Sequence, residues 1–90
     1  MKETENNHIK PVEPVTRCVD EETQVRVLVE LPGVDETKIR IELENHTLVI
    51  IASDSVKIYK KEIPLASKAR ICNKKFHNGV LELTLEKTNP

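Results

Sequence analysis

Side chains that could act as nucleophiles, general bases or metal ligands are few in this sequence, and they lie far apart. His8, His46 and His77 have no Asp, Cys or Ser at a spacing that would assemble a catalytic triad. Cys18 and Cys72 form no Cys-x-x-Cys pair, no His-Glu-x-x-His motif is present, and two glycines cannot build a phosphate-binding loop. The sequence therefore predicts no catalytic residues, no metal site and no cofactor, and we expect that the protein is not an enzyme.

The composition argues against nucleic acids and membranes as partners. The net charge of −1 offers no basic surface to a phosphate backbone, and one Phe, one Tyr and no Trp leave almost no aromatic surface for stacking bases. No apolar run approaches the ~20 residues needed to cross a bilayer, and the polar first ten residues do not resemble a signal peptide. We expect a cytoplasmic protein whose two cysteines are buried, reduced thiols, although one disulfide between them stays possible.

A two-residue period of apolar side chains dominates the chain from Thr16 onward. In residues 25–31, 39–43 and 81–85 apolar positions alternate with mostly polar ones, as on a β-strand with one buried face. Residues 48–52 are apolar on both faces, which indicates a strand that is covered on both sides. The alternation predicts seven strands, over residues 16–19, 23–30, 39–44, 47–52, 57–63, 69–76 and 80–86.

Turn signals separate these strands. Asn78-Gly79 is the strongest, because both residues tolerate the positive φ of a type I′ hairpin. Asn45-His46 and Asp54-Ser55 mark two further turns, and residues 35–37 are compatible with a single helical turn. Short alternating strands with frequent turns predict an all-β fold, an immunoglobulin-like antiparallel β-sandwich over residues 14–88. A flexible N-terminal tail is predicted over residues 1–13.

Two segments permit more than one interpretation. Lysines and one arginine make residues 57–75 basic, which fits either solvated strand edges that discourage aggregation or a site for an acidic partner; we favour the edges. Residues 9–15 are stiffened by two prolines and carry Ile9, Val12 and Val15 as apolar anchors. We favour a disordered tail for this segment; the alternative is that it packs against the strand pair 39–43 and 69–76, in its own chain or a neighbour's.

Several segments, taken in order and spacing, resemble the small heat-shock protein family, whose shared unit is the alpha-crystallin domain. Residues 27–34 end in a Leu-Pro-Gly-Val turn, and residues 39–50 match the hairpin that follows it in the family. Residues 63–64 supply the Ile-Pro that closes a basic strand, and residues 78–87 carry the Asn-Gly-Val-Leu signature. The resemblance covers about residues 15–87, and it implies the alpha-crystallin type of β-sandwich.

The chain also departs from the family pattern. Asp54-Ser55 leaves no room for the long loop whose extra strand swaps between partners in many members, and no Ile-x-Ile/Val motif follows Lys87. Lys74 stands where the family usually has Ala, and Lys61 where many members have an aromatic residue. These departures imply a monomer or small dimer rather than a large shell.

The resemblance implies a function that needs no active site. Small heat-shock proteins are ATP-independent holdase chaperones that bind partly unfolded clients through apolar sheet edges. The alternative is a dedicated interaction module, similar to the CS-domain co-chaperones or to a domain appended to a larger protein, which docks on one folded partner. In the family two strands border a groove that captures an apolar segment; here the groove would be lined by Ile39, Ile41, Leu43, Ala69, Ile71 and Asn73. The competing interpretation of these rows is ordinary core packing.

Overall fold

The computed structural model describes residues 10–88, which form two packed antiparallel sheets and one short helical turn. All seven predicted strands are present, and each end lies within one residue of its predicted position. The strands are β1 (Thr16–Asp20), β2 (Gln24–Glu30), β3 (Ile39–Glu44), β4 (Thr47–Ser53), β5 (Ile58–Pro64), β6 (Ala69–His77) and β7 (Val80–Lys87). Within the part of the chain that is described, no helix has the length and apolar composition needed to cross a membrane.

The strands form a four-stranded sheet with the order β1-β2-β7-β6 and a three-stranded sheet with the order β3-β4-β5. Only the β2–β7 pair joins strands that are distant in sequence, and its register places Val27 opposite Leu83. The predicted all-β sandwich of about seven strands is therefore confirmed. We call the four-stranded sheet the large sheet and the three-stranded sheet the small sheet.

The core lies between the sheets and consists almost wholly of aliphatic side chains. Inward positions recur at every second residue of the central strands, as the sequence alternation predicts. Among the residues described, no polar or charged residue is buried. The buried apolar residues are Val25, Val27, Val29, Leu31, Val34, Leu48, Ile50, Ala52, Tyr59, Ile63, Leu81, Leu83 and Leu85.

The hairpin between β6 and β7 takes the backbone conformation that its sequence predicts. Asn78 has φ 53° and Gly79 has φ 76°, so both occupy the left-handed region that a type I′ turn requires. Gly79 also accepts a hydrogen bond from the Leu31 backbone N–H at 2.7 Å, and a Cβ atom there would lie 3.4 Å from the Pro32 Cα. The hydrogen bond therefore ties the residue that follows β2 to the turn between β6 and β7.

Two aspartates fix two connections at the small sheet, Asp35 the one that leads into β3 and Asp54 the one between β4 and β5. Asp35 accepts hydrogen bonds from the Thr37 N–H and hydroxyl, and it begins a single turn of 3-10 helix over Glu36–Lys38, where the sequence predicts a helical turn. Asp54 accepts from the backbone N–H groups of Val56 and Lys57, both at 2.7 Å. The β4–β5 connection is thus a short, closed turn.

The N-terminal segment lies beside β5, and not at the pair of strands β3 and β6 that the docking alternative names. Val12 forms a parallel bridge with Tyr59 of β5, in which its N–H donates to the Ile58 carbonyl at 2.7 Å and its carbonyl accepts from the Lys60 N–H at 3.0 Å. Pro14 is buried as the chain crosses to β1. Docking in its own chain's groove is therefore wrong for residues 10–15. Ile9 and the remainder of the predicted tail lie outside the described residues.

Two further expectations are wrong. Cys18 and Cys72 are both free and exposed, because they lie on the two edge strands of the large sheet rather than in the core. Strand β4 is covered on one face only: Leu48 points into the core, whereas Val49 and Ile51 lie on the outer face and are half-buried. The apolar run in β4 therefore leaves an apolar stripe on the outside of the small sheet.

The core packing predicts a large cost for truncating Leu83. Its side chain is fully buried, so we expect Leu83→Ala to lower the free energy of unfolding by about 2–4 kcal/mol. The matched control is Val19→Ala, which removes an exposed side chain and should change stability by less than about 0.5 kcal/mol. Urea titration followed by circular dichroism measures both. Equal small effects would mean that β7 presents its other face to the core.

The turn at Asp54 predicts a pH-dependent contribution to stability. Its two backbone hydrogen bonds lower the pKa of Asp54, so its stabilisation is present above the unfolded pKa near about 4 and is lost as the pH falls through the lower folded pKa. We expect Asp54→Ala to lower the melting temperature at pH 7 and to match the wild type at pH 2. Asp54→Asn keeps an acceptor without the titrating charge and should flatten this part of the pH profile. An unchanged profile in both variants would contradict the assignment.

Candidate functional site: the open edges of β3 and β6

Strands β3 and β6 are the edges of the two sheets on one side of the sandwich. In the strand order of the two sheets, β3 pairs only with β4, and β6 pairs only with β7. Three residues separate Val12, on the edge of β5, from Thr16 at the start of β1, so those two edges lie together on one side. The edges of β3 and β6 must then lie together on the other side. Within residues 10–88 no further strand pairs with either edge.

The inner row of β3 is apolar and only partly covered. Ile39, Ile41 and Leu43 pair with the buried Ala52, Ile50 and Leu48, so they share the inner face of the small sheet. All three are half-buried and pack against the core cluster. Each of these side chains packs on the core with one part of its surface and leaves another part open. The core-packing interpretation and the groove interpretation therefore both describe them.

The inner row of β6 is interrupted by a β-bulge at Cys72. Ile71 pairs with the buried Leu85, whereas the next paired residue, Asn73, is opposite Thr84 on the outer face. A bulge inserts one extra residue into a strand and so reverses the alternation beyond it. The structure therefore brings Ala69 and Ile71 to the inner side with the β3 row, and it places Asn73 on the outer face.

Two residues of β6 that the sequence reasoning missed lie on the inner side. Lys74 pairs with Leu83 and Phe76 pairs with Leu81; Phe76 is half-buried against the core, and Lys74 is exposed. The sequence contains a signal for them. Counting back by twos from the Asn78-Gly79 turn selects Phe76 and Lys74, whereas counting forward from Ala69 selects Asn73, and the conflict requires one inserted residue.

Exposure is high along β6, as it is along β1, the other edge strand of the large sheet. Seven of its nine residues are exposed, and only Ala69 and Phe76 are half-buried. Ile71 keeps 36% of its surface exposed although it lies on the inner side. Free backbone groups along an edge and a partly exposed apolar row beside them are the two features that let an extended segment add as a further strand.

Two groups on the edge strands of the large sheet, Arg70 on β6 and Cys18 on β1, have shifted pKa values. Arg70 forms an ion pair of 2.8 Å with Glu86 on the outer face, and this contact raises the pKa of the Arg70 guanidinium. The pKa of the Cys18 thiol is raised by its partial burial and then by the charge of Asp20, which makes it a poorer nucleophile. No cluster of metal-ligating side chains occurs among the residues searched, 10–88. The arrangement presents unpaired backbone groups of two edge strands next to apolar side chains.

Comparisons with known proteins give matches in structure but not in sequence. No protein-family model matches the chain, and no curated protein matches it. Heat shock protein 16.0 from Schizosaccharomyces pombe superimposes with a TM-score of 0.80 at 21% identity, over 96% of this chain and 74% of that one. The hspA protein from Xanthomonas axonopodis gives a TM-score of 0.76 at 18% identity, over 87% of this chain and 96% of that one.

A third match has similar geometry. HSP18.5 from E. histolytica superimposes with a TM-score of 0.74 at 18% identity, over 84% of this chain and 88% of that one. At identities this low the matches carry information on fold alone. They agree with the resemblance that the sequence motifs predict. The chain therefore has the alpha-crystallin-type β-sandwich fold that is found in small heat-shock proteins.

Proposed function

We propose that this chain is an ATP-independent holdase chaperone that binds partly unfolded proteins at the edges of β3 and β6. The observation that carries the proposal is the open, partly apolar edge pair described above, on a fold that is found in small heat-shock proteins. A partly unfolded protein exposes apolar side chains and unpaired backbone, and this edge pair offers complementary groups for both. The proposal includes a cytoplasmic location and self-association no larger than a small dimer, with no role for nucleic acid or membrane.

The two strands contribute differently to this binding. Strand β3 supplies a regular apolar row, in which Ile41 lies between Ile39 and Leu43 along an uninterrupted edge. Strand β6 supplies Ala69 and Ile71, and beyond the bulge its inner row continues with Lys74. A client segment would therefore meet apolar side chains near the start of β6 and a cation further along it.

The same features keep the binding weak and reversible. The bulge breaks the regular spacing of backbone groups along β6, so a client cannot pair continuously over its nine residues. Lys74 and Lys75 are exposed on this edge, and lysines on edges oppose indefinite strand addition. A short contact of a few residues is suited to holding a client and releasing it without ATP.

A second candidate function is a docking module for one folded partner. It is favoured by the closed Asp54–Lys57 turn, which occupies the place of the swapped-strand loop expected from the resemblance. A docking module would bind one surface stoichiometrically and would not protect unrelated proteins. Its partner would contact the basic edges, where the alternative of an acidic partner remains a hypothesis.

Aggregation assays distinguish these two functions. Light scattering of a heat-labile enzyme should fall when the chain is added at a near-stoichiometric ratio. Ile71→Lys should weaken this protection at least about fivefold in the ratio required, because it places a charge in the exposed part of the apolar row. Since Ile71 is already partly exposed, the variant should keep its fold.

The matched control is Val19→Lys. Val19 is 44% exposed and pairs with Arg26 on the outer face, at the opposite edge of the same sheet. Circular dichroism should be unchanged in both variants, and Val19→Lys should protect as well as the wild type. Equal loss in both variants would remove the edge site, and no protection by the wild type at any ratio would leave the docking module as the function.

A further inference from the structure

The outer face of the small sheet carries an apolar stripe between two lines of charge. Val49 and Ile51 on the central strand point outward and are half-buried, and Ile58 of β5 continues the stripe toward the exposed Val56. The outer face of the large sheet is different, because its central strands present charged residues such as Arg26 and Glu82 there. The central outer face of the large sheet has Leu28 as its apolar residue, beside Glu82 and Arg17, whereas the small sheet has Val49 and Ile51 side by side on its central strand.

The charges beside this stripe are sorted into two rows by the strand register. The first row, which we call the acidic row, is Glu42–Val49–Glu62, read across β3, β4 and β5. The second, the basic row, lies two residues along each strand and is Arg40–Ile51–Lys60. Each row has an aliphatic residue in the middle and two like charges at its flanks.

Within one chain the charges of the two rows form one ion pair on β3 and one on β5. Arg40 Nη2 lies 3.1 Å from Glu42 Oε2, and Lys60 Nζ lies 3.7 Å from Glu62 Oε2. All four side chains keep between 45% and 73% of their surface exposed, so their remaining hydrogen-bonding capacity faces solvent. Exposed pairs of this kind contribute little to the stability of a single chain.

The two rows are complementary to each other under a twofold rotation. Take an axis that lies in the plane of contact, perpendicular to the strands and midway between the rows. It places the acidic row of one chain over the basic row of a second chain, so that Glu42 faces Arg40, Glu62 faces Lys60 and Val49 faces Ile51. The neighbouring rows fit as well, since Thr47 then faces Ser53, and Pro64 faces Ile58.

We propose that the outer face of the small sheet is the surface through which two copies of this chain associate face to face. The occupant is a second copy because a twofold interface must be self-complementary, and this face is self-complementary in both charge and apolarity. Two sheets packed about 10 Å apart would bury the aliphatic stripe. The charged side chains of the two β3 strands would form an alternating ring of two cations and two anions, and those of the two β5 strands would form another. Both rings would be shielded from solvent more than the isolated pairs.

The inferred interface is small, because it involves only three short strands on each copy. Interfaces of that size give weak, concentration-dependent dimers. Dimerisation of this kind does not depend on chaperone activity, so the proposal stands or fails separately from the proposed function. Sedimentation equilibrium of the full chain, from micromolar to millimolar concentration, should show a reversible monomer–dimer equilibrium.

Two complementary charge-reversal variants test the geometry. The all-basic variant carries Glu42→Lys and Glu62→Lys, and the all-acidic variant carries Arg40→Glu and Lys60→Glu. Each alone should raise the dissociation constant at least about tenfold, because like charges then face each other at both flanks. A one-to-one mixture should form a heterodimer, since every facing pair is again of opposite sign.

The control variant carries Arg70→Glu with Glu86→Lys, which inverts an equally exposed ion pair on the large sheet and should dimerise like the wild type. Circular dichroism establishes that each variant is folded. A wild type that stays monomeric at millimolar concentration, a control that fails to dimerise, or a mixture that does not associate would each overturn the proposal. A dimer that forms only after removal of residues 1–9 would also overturn it, because that segment would then be the occupant of this face.

Discussion

The pairing of β2 with β7 is the contact on which the rest of this domain depends. It joins residues fifty or more positions apart in sequence, and its inner row consists of residues that are almost fully excluded from solvent, including Val27 opposite Leu83. A domain of this size buries a modest fraction of its surface, and this one has no aromatic residue at its centre: Tyr59 lies on the edge strand β5, and Phe76 on the edge strand β6. Burial of aliphatic side chains along this seam therefore stabilises both sheets.

Because the sandwich is not closed into a barrel, each sheet keeps two edges, and the described residues treat them unequally. The edge of β5 is partly covered by Val12, whose two backbone hydrogen bonds continue the sheet, and Glu13 lies 3.5 Å from Lys61 beside it. The edge of β6 carries a bulge and exposed lysines. The edge of β3 has neither device. The edge of β1 is also exposed, but the edge beside it on β5 is partly covered by Val12. The proposed client site lies where β3 and β6 meet because two open edges adjoin there.

The strands were predictable from the sequence and the details of the site were not, for physical reasons. Alternation over five to nine residues is a strong signal wherever one face is buried, and Asn78-Gly79 fixes a hairpin register on its own. A bulge adds one residue without any characteristic composition, so the inner position assigned to Asn73 belongs to Lys74. Exposure at an edge depends on what covers that edge, and a strand-length pattern does not contain this information, so the exposure of the two cysteines does not follow from the sequence. The position of Val12 against Tyr59 is equally absent from the local pattern.

The apolar run of β4 connects the two proposals. An antiparallel sheet with one solvated face usually alternates, yet Val49 and Ile51 extend apolar surface to the outside of the small sheet. If a second copy covers that surface, the chains stack in the order large sheet, small sheet, small sheet, large sheet. The edges of β3 and β6 face sideways in such a stack and stay open, so self-association and client binding use different surfaces. A dimer would then present two client sites on one particle, and a client that engages both is held more tightly than either site alone would hold it. Weak individual edges and a weak dimer can in this way combine into effective, reversible capture.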